Sequence, residues 1–102
     1  MRKIVIVGPP PVQVLDVTGP FEVFSNAPDY QIQLANPGLE RTLQTNRGLV
    51  LGDATPIDDV HGPIDTLVIA GGPGAESGRY DPNFIGWIAK VREPDPEVHL
   101  YL

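Results

Sequence analysis

The chain of 102 residues contains no cysteine. Disulfides, zinc sites with cysteine ligands and thiol catalysis by this chain are therefore excluded. Basic residues are also few, with seven Lys and Arg against 13 Asp and Glu and a formal net charge of -6. Because phosphate backbones repel such a chain, its composition argues against unaided binding of nucleic acid.

Long apolar runs are missing too. No segment approaches the roughly 20 apolar residues that span a bilayer. The start, MRKIVIVGPPP, is too short for the apolar core of a signal peptide. We therefore expect a cytoplasmic protein with a single small domain over residues 1–102 and no membrane contact. No cofactor is predicted, and no metal site, because His61 and His99 lack neighbouring ligands.

Two β-branched runs stand out in what is present. Lys3–Val7 and Asp65–Gly71 are apolar on both faces, which is typical of central strands of a parallel sheet covered by helices. Tyr30–Asn36 alternates apolar and polar residues and predicts a half-exposed strand, with a position at a sheet edge. Residues 42–51 predict a hairpin around an Asn-Arg-Gly turn, and Val98–Leu102 a final strand.

Helices are predicted between these strands. Thr18-Gly19-Pro20 supplies a helix start, so we predict a helix over Gly19–Ser25 with Thr18 as its cap. A second helix is predicted from Asp81-Pro82 onward, because its apolar residues recur at helical spacing. Residues 53–65 are predicted as a loop with one helical turn. The order predicts an α/β domain, a flavodoxin-like or Rossmann-like three-layer sandwich with a mostly parallel sheet.

The loop GGPGAESG, after the second buried strand, has three interpretations. A phosphate site is disfavoured, because neither the P-loop pattern nor the dinucleotide pattern is complete. A glycine-rich turn that lets a strand and a helix pack closely is the second. The third is a set of backbone amides that stabilise an oxyanion in the crevice of an open α/β sheet.

The segments KIVIVGPPPVQVLDVTGPFEVF, DTLVIAGGPGAE and FIGWIAKVRE occur in this order. Together they resemble the first half of a DJ-1/PfpI-superfamily domain, a class I glutamine amidotransferase-like domain. They are most similar to the N-terminal sensor domain of AraC-type transcriptional regulators. Isocyanide hydratases share the LD-T-GP feature, and the resemblance extends over residues 3–92.

The resemblance implies functional residues. Asp16 matches the acidic residue that lies beside a nucleophilic cysteine, and Gly71-Gly72 matches the pair whose amide helps form the oxyanion hole. Asp16 and Gly72 are thus the catalytic candidates, and Asp16, Gly71, Gly72 and Gly74 are the predicted ligand-binding residues. The residue alone leaves another interpretation open, in which Asp16 is a helix-start carboxylate stabilised by the helix dipole.

The family places its cysteine on an elbow after the strand that matches Val98–Leu102, and no cysteine is present here. We therefore expect a truncated domain. The first functional hypothesis is a ligand-sensing domain without catalytic activity that binds a small-molecule effector, forms a homodimer and reaches DNA only through a module outside this chain. The alternative is a fragment of a cysteine-dependent enzyme such as an isocyanide hydratase or an amidase. A structural remnant without ligand is the third.

Overall fold

The computed structural model describes residues 2–78, 81–92 and 97–100. Seven strands are named from the amino end: β1 (Arg2–Val7), β2 (Tyr30–Asn36), β3 (Leu43–Gln44), β4 (Val50–Leu51), β5 (Ala54–Pro56), β6 (Thr66–Ile69) and β7 (Glu97–Leu100). Three helices accompany them: α1 (Val14–Ser25), α2 (Pro73–Gly78) and α3 (Pro82–Arg92). A 3₁₀ turn covers Ile57–Asp59.

Five of the strands form one parallel sheet in the order β5-β2-β1-β6-β7. Strands β3 and β4 form a separate antiparallel pair. The two buried strands predicted from β-branched runs are β1 and β6, which pair at the centre of the sheet. The α/β prediction with a mostly parallel sheet and a flavodoxin-like fold is confirmed.

Strand β1 is apolar and buried at every position from Ile4 to Val7, so both faces of the sheet need cover at this strand. Ile4 and Ile6 join a buried cluster with Val17 of α1. Val5 and Val7 point to the opposite face and join a second cluster with Phe84 of α3. This arrangement makes three layers, and fully burying each such side chain contributes about 1.5–3 kcal/mol.

Helix α1 begins earlier than the sequence predicts. It starts at Val14 rather than Gly19, and Gln13 is its N-cap residue. Thr18 is not a cap: its hydroxyl donates to the Val14 carbonyl at 3.0 Å, inside the helix. Pro20 lies in the helix interior and is buried, where its missing N–H leaves one backbone hydrogen bond unmade. Burial of Val17 and Pro20 holds the first turns in place despite that loss.

Strand β2 is not at an edge of the sheet. It lies between β1 and β5, and Leu34–Asn36 pair with Ala54–Pro56. The segment that holds β5 was predicted as a loop, because prolines and acidic residues punctuate it. The Gln33 side chain donates to the Thr55 hydroxyl at 3.0 Å, so the polar face of β2 is partly covered as well.

Other elements agree with the sequence more closely. The hairpin around Asn46-Arg47-Gly48 is confirmed, as is a helix after Asp81. The final strand is β7, and residues 101 and 102 of the predicted strand lie outside the described residues. No helix among the described residues is long and apolar enough to cross a membrane.

Candidate functional site at the carboxyl ends of β1 and β6

The chain leaves β1 and β6 in opposite directions. After β1 it crosses through α1 to β2 on one side, and after β6 it crosses through α2 and α3 to β7 on the other. The carboxyl ends of β1 and β6 are level, since Val7 pairs with Ile69. Open α/β sheets bind their ligands in the crevice at such a switch point. The loops after β1 and β6 therefore define the candidate site.

A backbone hydrogen bond joins these two loops. The Gln13 N–H, just before α1, donates to the Gly71 carbonyl at 3.0 Å. Three residues after Gly71, the Gly74 N–H donates across the same junction to the Pro11 carbonyl at 2.9 Å. The entry to α1 and the glycine loop are thus held as one unit.

Gly72 meets a strict requirement at this junction. Its φ of +132° lies in a region that side chains with a Cβ rarely adopt. A Cβ there would also lie 2.5 Å from the Gln13 nitrogen and 2.9 Å from the Val12 carbonyl carbon. Only glycine lets the loop after β6 approach the start of α1 so closely.

The amides of Gly71 and Gly72 donate to no backbone carbonyl within residues 2–78. Gly71 is buried and Gly72 is partly exposed. Backbone N–H groups held in this way at the edge of a parallel sheet can bind a carbonyl oxygen or an oxyanion. Gly74 differs, because its N–H already donates to Pro11, so its visible role is close packing of the loop.

Asp16 lies in the first turn of α1, three residues after Gln13. Its N–H donates to the Gln13 carbonyl at 3.0 Å, which ties Asp16 to the residue whose own N–H is bonded to Gly71. Asp16 therefore lies at the same edge of the sheet as Gly71 and Gly72, and it is partly buried there. This position near the positive end of the α1 dipole also stabilises its carboxylate, typically by about 0.3–1 kcal/mol.

The β3–β4 hairpin completes this edge, a contribution that no local sequence pattern indicates. The Val12 N–H donates to the Gln44 carbonyl at 2.9 Å, and the Asn46 N–H donates to the Val12 carbonyl at 3.0 Å. The Asn46 side-chain amide then donates to the Gln13 Oε1 at 3.0 Å. Two polar side chains, 33 positions apart in sequence, are thereby paired beside the glycine loop.

One side chain considered from the sequence lies away from this edge. His61 is exposed at the amino end of β6, where its carbonyl accepts a hydrogen bond from the Lys3 ammonium at 2.6 Å. Among the described residues, no three histidine or carboxylate side chains gather in a group suited to a metal ion.

No known family profile and no curated protein matches the sequence. Solved structures do match it. A DJ-1 superfamily protein of Salmonella typhimurium, solved as a cysteine-to-alanine mutant, superimposes with a TM-score of 0.86 at 12% identity, over 98% of this chain and 55% of that one. The chain has the fold of the DJ-1/ThiJ/PfpI proteins.

Two further structures show the same fold. A ThiJ/PfpI family protein of Pseudomonas syringae matches with a TM-score of 0.84 at 18% identity, over 97% of this chain and 41% of that one. A DJ-1 superfamily protein of Agrobacterium tumefaciens matches with a TM-score of 0.79 at 22% identity, over 98% of this chain and 53% of that one. The chain therefore spans about half the length of these DJ-1/ThiJ/PfpI structures.

Proposed function

We propose that this chain is the N-terminal part of a DJ-1/ThiJ/PfpI-type domain that binds a small-molecule effector at the carboxyl ends of β1 and β6. In this role it senses the effector for an AraC-type transcriptional regulator in the cytoplasm. The observation that carries the proposal is the hydrogen bond from Gln13 to Gly71, which brings Asp16 to the same edge of the sheet as the two glycine amides that donate to no backbone carbonyl within residues 2–78.

The ligand contacts follow from the groups at this edge. The Gly71 and Gly72 amides would donate to an oxygen of the effector, and the Asp16 carboxylate would accept a hydrogen bond from it. The chain has no cysteine and so supplies no thiol nucleophile of its own, and the role proposed for it is binding. Regulation would pass to a DNA-binding module outside these 102 residues.

A fragment screen followed by nuclear magnetic resonance tests the binding site. We expect small polar fragments to shift the amide resonances of Gly71, Gly72 and Gln13 in a saturable way. Asp16→Asn should weaken the binding of those fragments about 10- to 150-fold, since hydrogen bonds to a charged group contribute about 1.5–3 kcal/mol. Fragments that bind only elsewhere would contradict the proposal.

Glu22→Gln is the matched control for this variant. Glu22 is on the same helix, is exposed and lies six residues further along. Neutralising it removes the same charge from α1 but no group at the carboxyl edge. Equal weakening by Glu22→Gln and Asp16→Asn would mean that net charge, and not the site, governs binding.

The alternative is that the chain is part of a cysteine-dependent enzyme, such as an isocyanide hydratase or an amidase. The pairing of β7 with β6 favours this candidate, because Leu100 pairs with Ile69 and β7 therefore ends at the edge that holds Gly71. A nucleophile that follows such a strand would start beside the glycine amides. The gene downstream of Leu102 decides between the two: helix-turn-helix segments support the regulator, and a cysteine followed by an early stop supports the enzyme.

We also propose that the chain forms a homodimer. Leu15 and Val23 of α1 are 72% and 68% exposed and lie two helical turns apart, which places them on one face. Gly19 lies between them, with open space where a Cβ would stand. Analytical ultracentrifugation at micromolar concentration should show a dimer, and a monomer would contradict the proposal.

A further inference from the structure

We propose that Gln13 and Asn46 act together as a recognition pair for a carboxamide group on the ligand. The inference rests on the proposed function, because it names the class of ligand for that site. It starts from a feature that the fold itself does not need: two exposed amide side chains from separate segments that meet beside the glycine loop.

The backbone already holds both residues in place. The Gln13 N–H is bonded to Gly71, and the Asn46 N–H is bonded to Val12. The position of each residue therefore does not depend on its side chain. A hydrogen bond between two exposed side chains adds little to stability, since water competes for both partners.

The paired side chains keep unused hydrogen-bonding capacity. Asn46 donates to the Gln13 Oε1, which leaves the Gln13 NH₂ group as a donor and the Asn46 Oδ1 as an acceptor. A carboxamide has the complementary set, with an acceptor oxygen and a donor NH₂ group. The pair can thus bind both ends of such a group, next to the Gly71 and Gly72 amides.

Charge selects the carboxamide over a carboxylate. Gln13 and Asn46 are neutral, and Asp16 follows Gln13 by three residues, in the first turn of α1. A carboxylate bound by the pair would place one of its two oxygens against the Asn46 Oδ1, which is also an acceptor, and would add a second negative charge to the edge that holds Asp16. Like charges in such proximity disfavour each other, whereas a neutral amide pays no such cost.

Titration of the isotope-labelled chain with propionamide, and separately with propionate, tests the inference. We expect propionamide to shift the Gly71 and Gly72 amides and the side-chain NH₂ resonances of Gln13 and Asn46, and propionate to shift them far less. Gln13→Ala and Asn46→Ala should each weaken propionamide binding about two- to tenfold, the effect of one neutral hydrogen bond.

The double variant tests whether the two residues act as a unit. If they do, the loss of propionamide affinity in the double variant should be smaller than the product of the two single losses. The reason is that each single substitution already breaks the pair. Gln31→Ala is the matched control, since Gln31 is exposed on β2 and pairs with Lys3 at the far end of the sheet. It should bind propionamide like the unaltered chain.

The outcomes separate this inference from the proposed function. If propionamide still shifts Gly71 and Gly72 equally in Gln13→Ala and Asn46→Ala, or if propionate binds as well, the recognition pair is wrong and the proposed site remains. If propionamide leaves Gly71 and Gly72 unmoved and the fragment screen also finds nothing there, both fall.

Discussion

Replacement of Gly72 by alanine is the sharpest perturbation of the site. The new Cβ would meet the Gln13 nitrogen at 2.5 Å and the Val12 carbonyl carbon at 2.9 Å, and both are backbone atoms. These atoms cannot rotate away as a side chain does. Relief requires movement of the α1 entry away from the loop, which loosens the bond from Gln13 to Gly71.

Two terms set the size of the effect. A non-glycine residue at a φ of +132° costs roughly 1–3 kcal/mol. Loss of the backbone hydrogen bond adds about 0.5–1.5 kcal/mol. We expect Gly72→Ala to lower the free energy of unfolding by roughly 2–4 kcal/mol, which is a large part of the 5–15 kcal/mol typical of a domain.

Urea unfolding measures this change. Trp87 is partly buried and stacks on Phe84 with ring centroids 6.4 Å apart, so its fluorescence reports on the packing of α3. Gly86→Ala is the matched control, because its Cβ would meet nothing within 4 Å on the surface of α3. That variant should be stabilised by about 0.5–1 kcal/mol. Equal urea midpoints for Gly72→Ala and the unaltered chain would refute the reasoning.

Three more predictions concern stability. Leu43→Ala should lower the free energy of unfolding, measured in urea or by heating, by about 2–5 kcal/mol, because Leu43 is fully buried. Leu39→Ala is the control and should change it little, because the Leu39 side chain is 83% exposed. Similar losses in the two variants would contradict the assigned core. Asn36→Ala should lower the free energy of unfolding by roughly 2–4 kcal/mol, since the Asn36 side chain donates to the Thr42 carbonyl and accepts from the Gly38 N–H. An unchanged free energy of unfolding would be inconsistent with those two bonds. Arg41→Ala should lower the free energy of unfolding by less than about 1 kcal/mol, because its ion pair with Asp59 is exposed. Salt screens that pair, so the difference from the unaltered chain should vanish at high salt. A larger loss would show that Arg41 has another partner.

The central strands could be predicted because their signal is local. Ile4–Val7 and Leu67–Ile69 are apolar at consecutive positions, which is what burial on both faces of a sheet demands. The hairpin was also predictable from its turn residues. In each case the property that decides the structure lies within a few adjacent residues.

Other elements depend on contacts that a local pattern does not contain. Ala54–Pro56 becomes a strand because it pairs with Leu34–Asn36, although its own residues favour a loop. The early start of α1 depends on burial of Val17 and Pro20 against the sheet. Local propensity predicts Pro20 in the first turn of the helix, but tertiary packing outweighs that propensity and Pro20 lies in the helix interior.

The candidate site shows the same division. Gly72 stands out in the sequence because glycines cluster after a buried strand, and the structure gives its positive φ a cause. Gln13 and Asn46 carry no such signal. Their pairing follows from the docking of the hairpin on Val12, which is visible only in three dimensions. The ligand-binding roles of Asp16, Gly71, Gly72 and Gly74 stay predictions.

The hydrogen bond from Gln13 to Gly71 is the contact on which the site depends. Scalar coupling across a hydrogen bond, measured by nuclear magnetic resonance, detects it directly. We expect a correlation between the Gln13 amide nitrogen and the Gly71 carbonyl carbon, together with slow exchange of the Gln13 amide proton. No correlation, with exchange as fast as in an unfolded peptide, would contradict the convergence of the two loops.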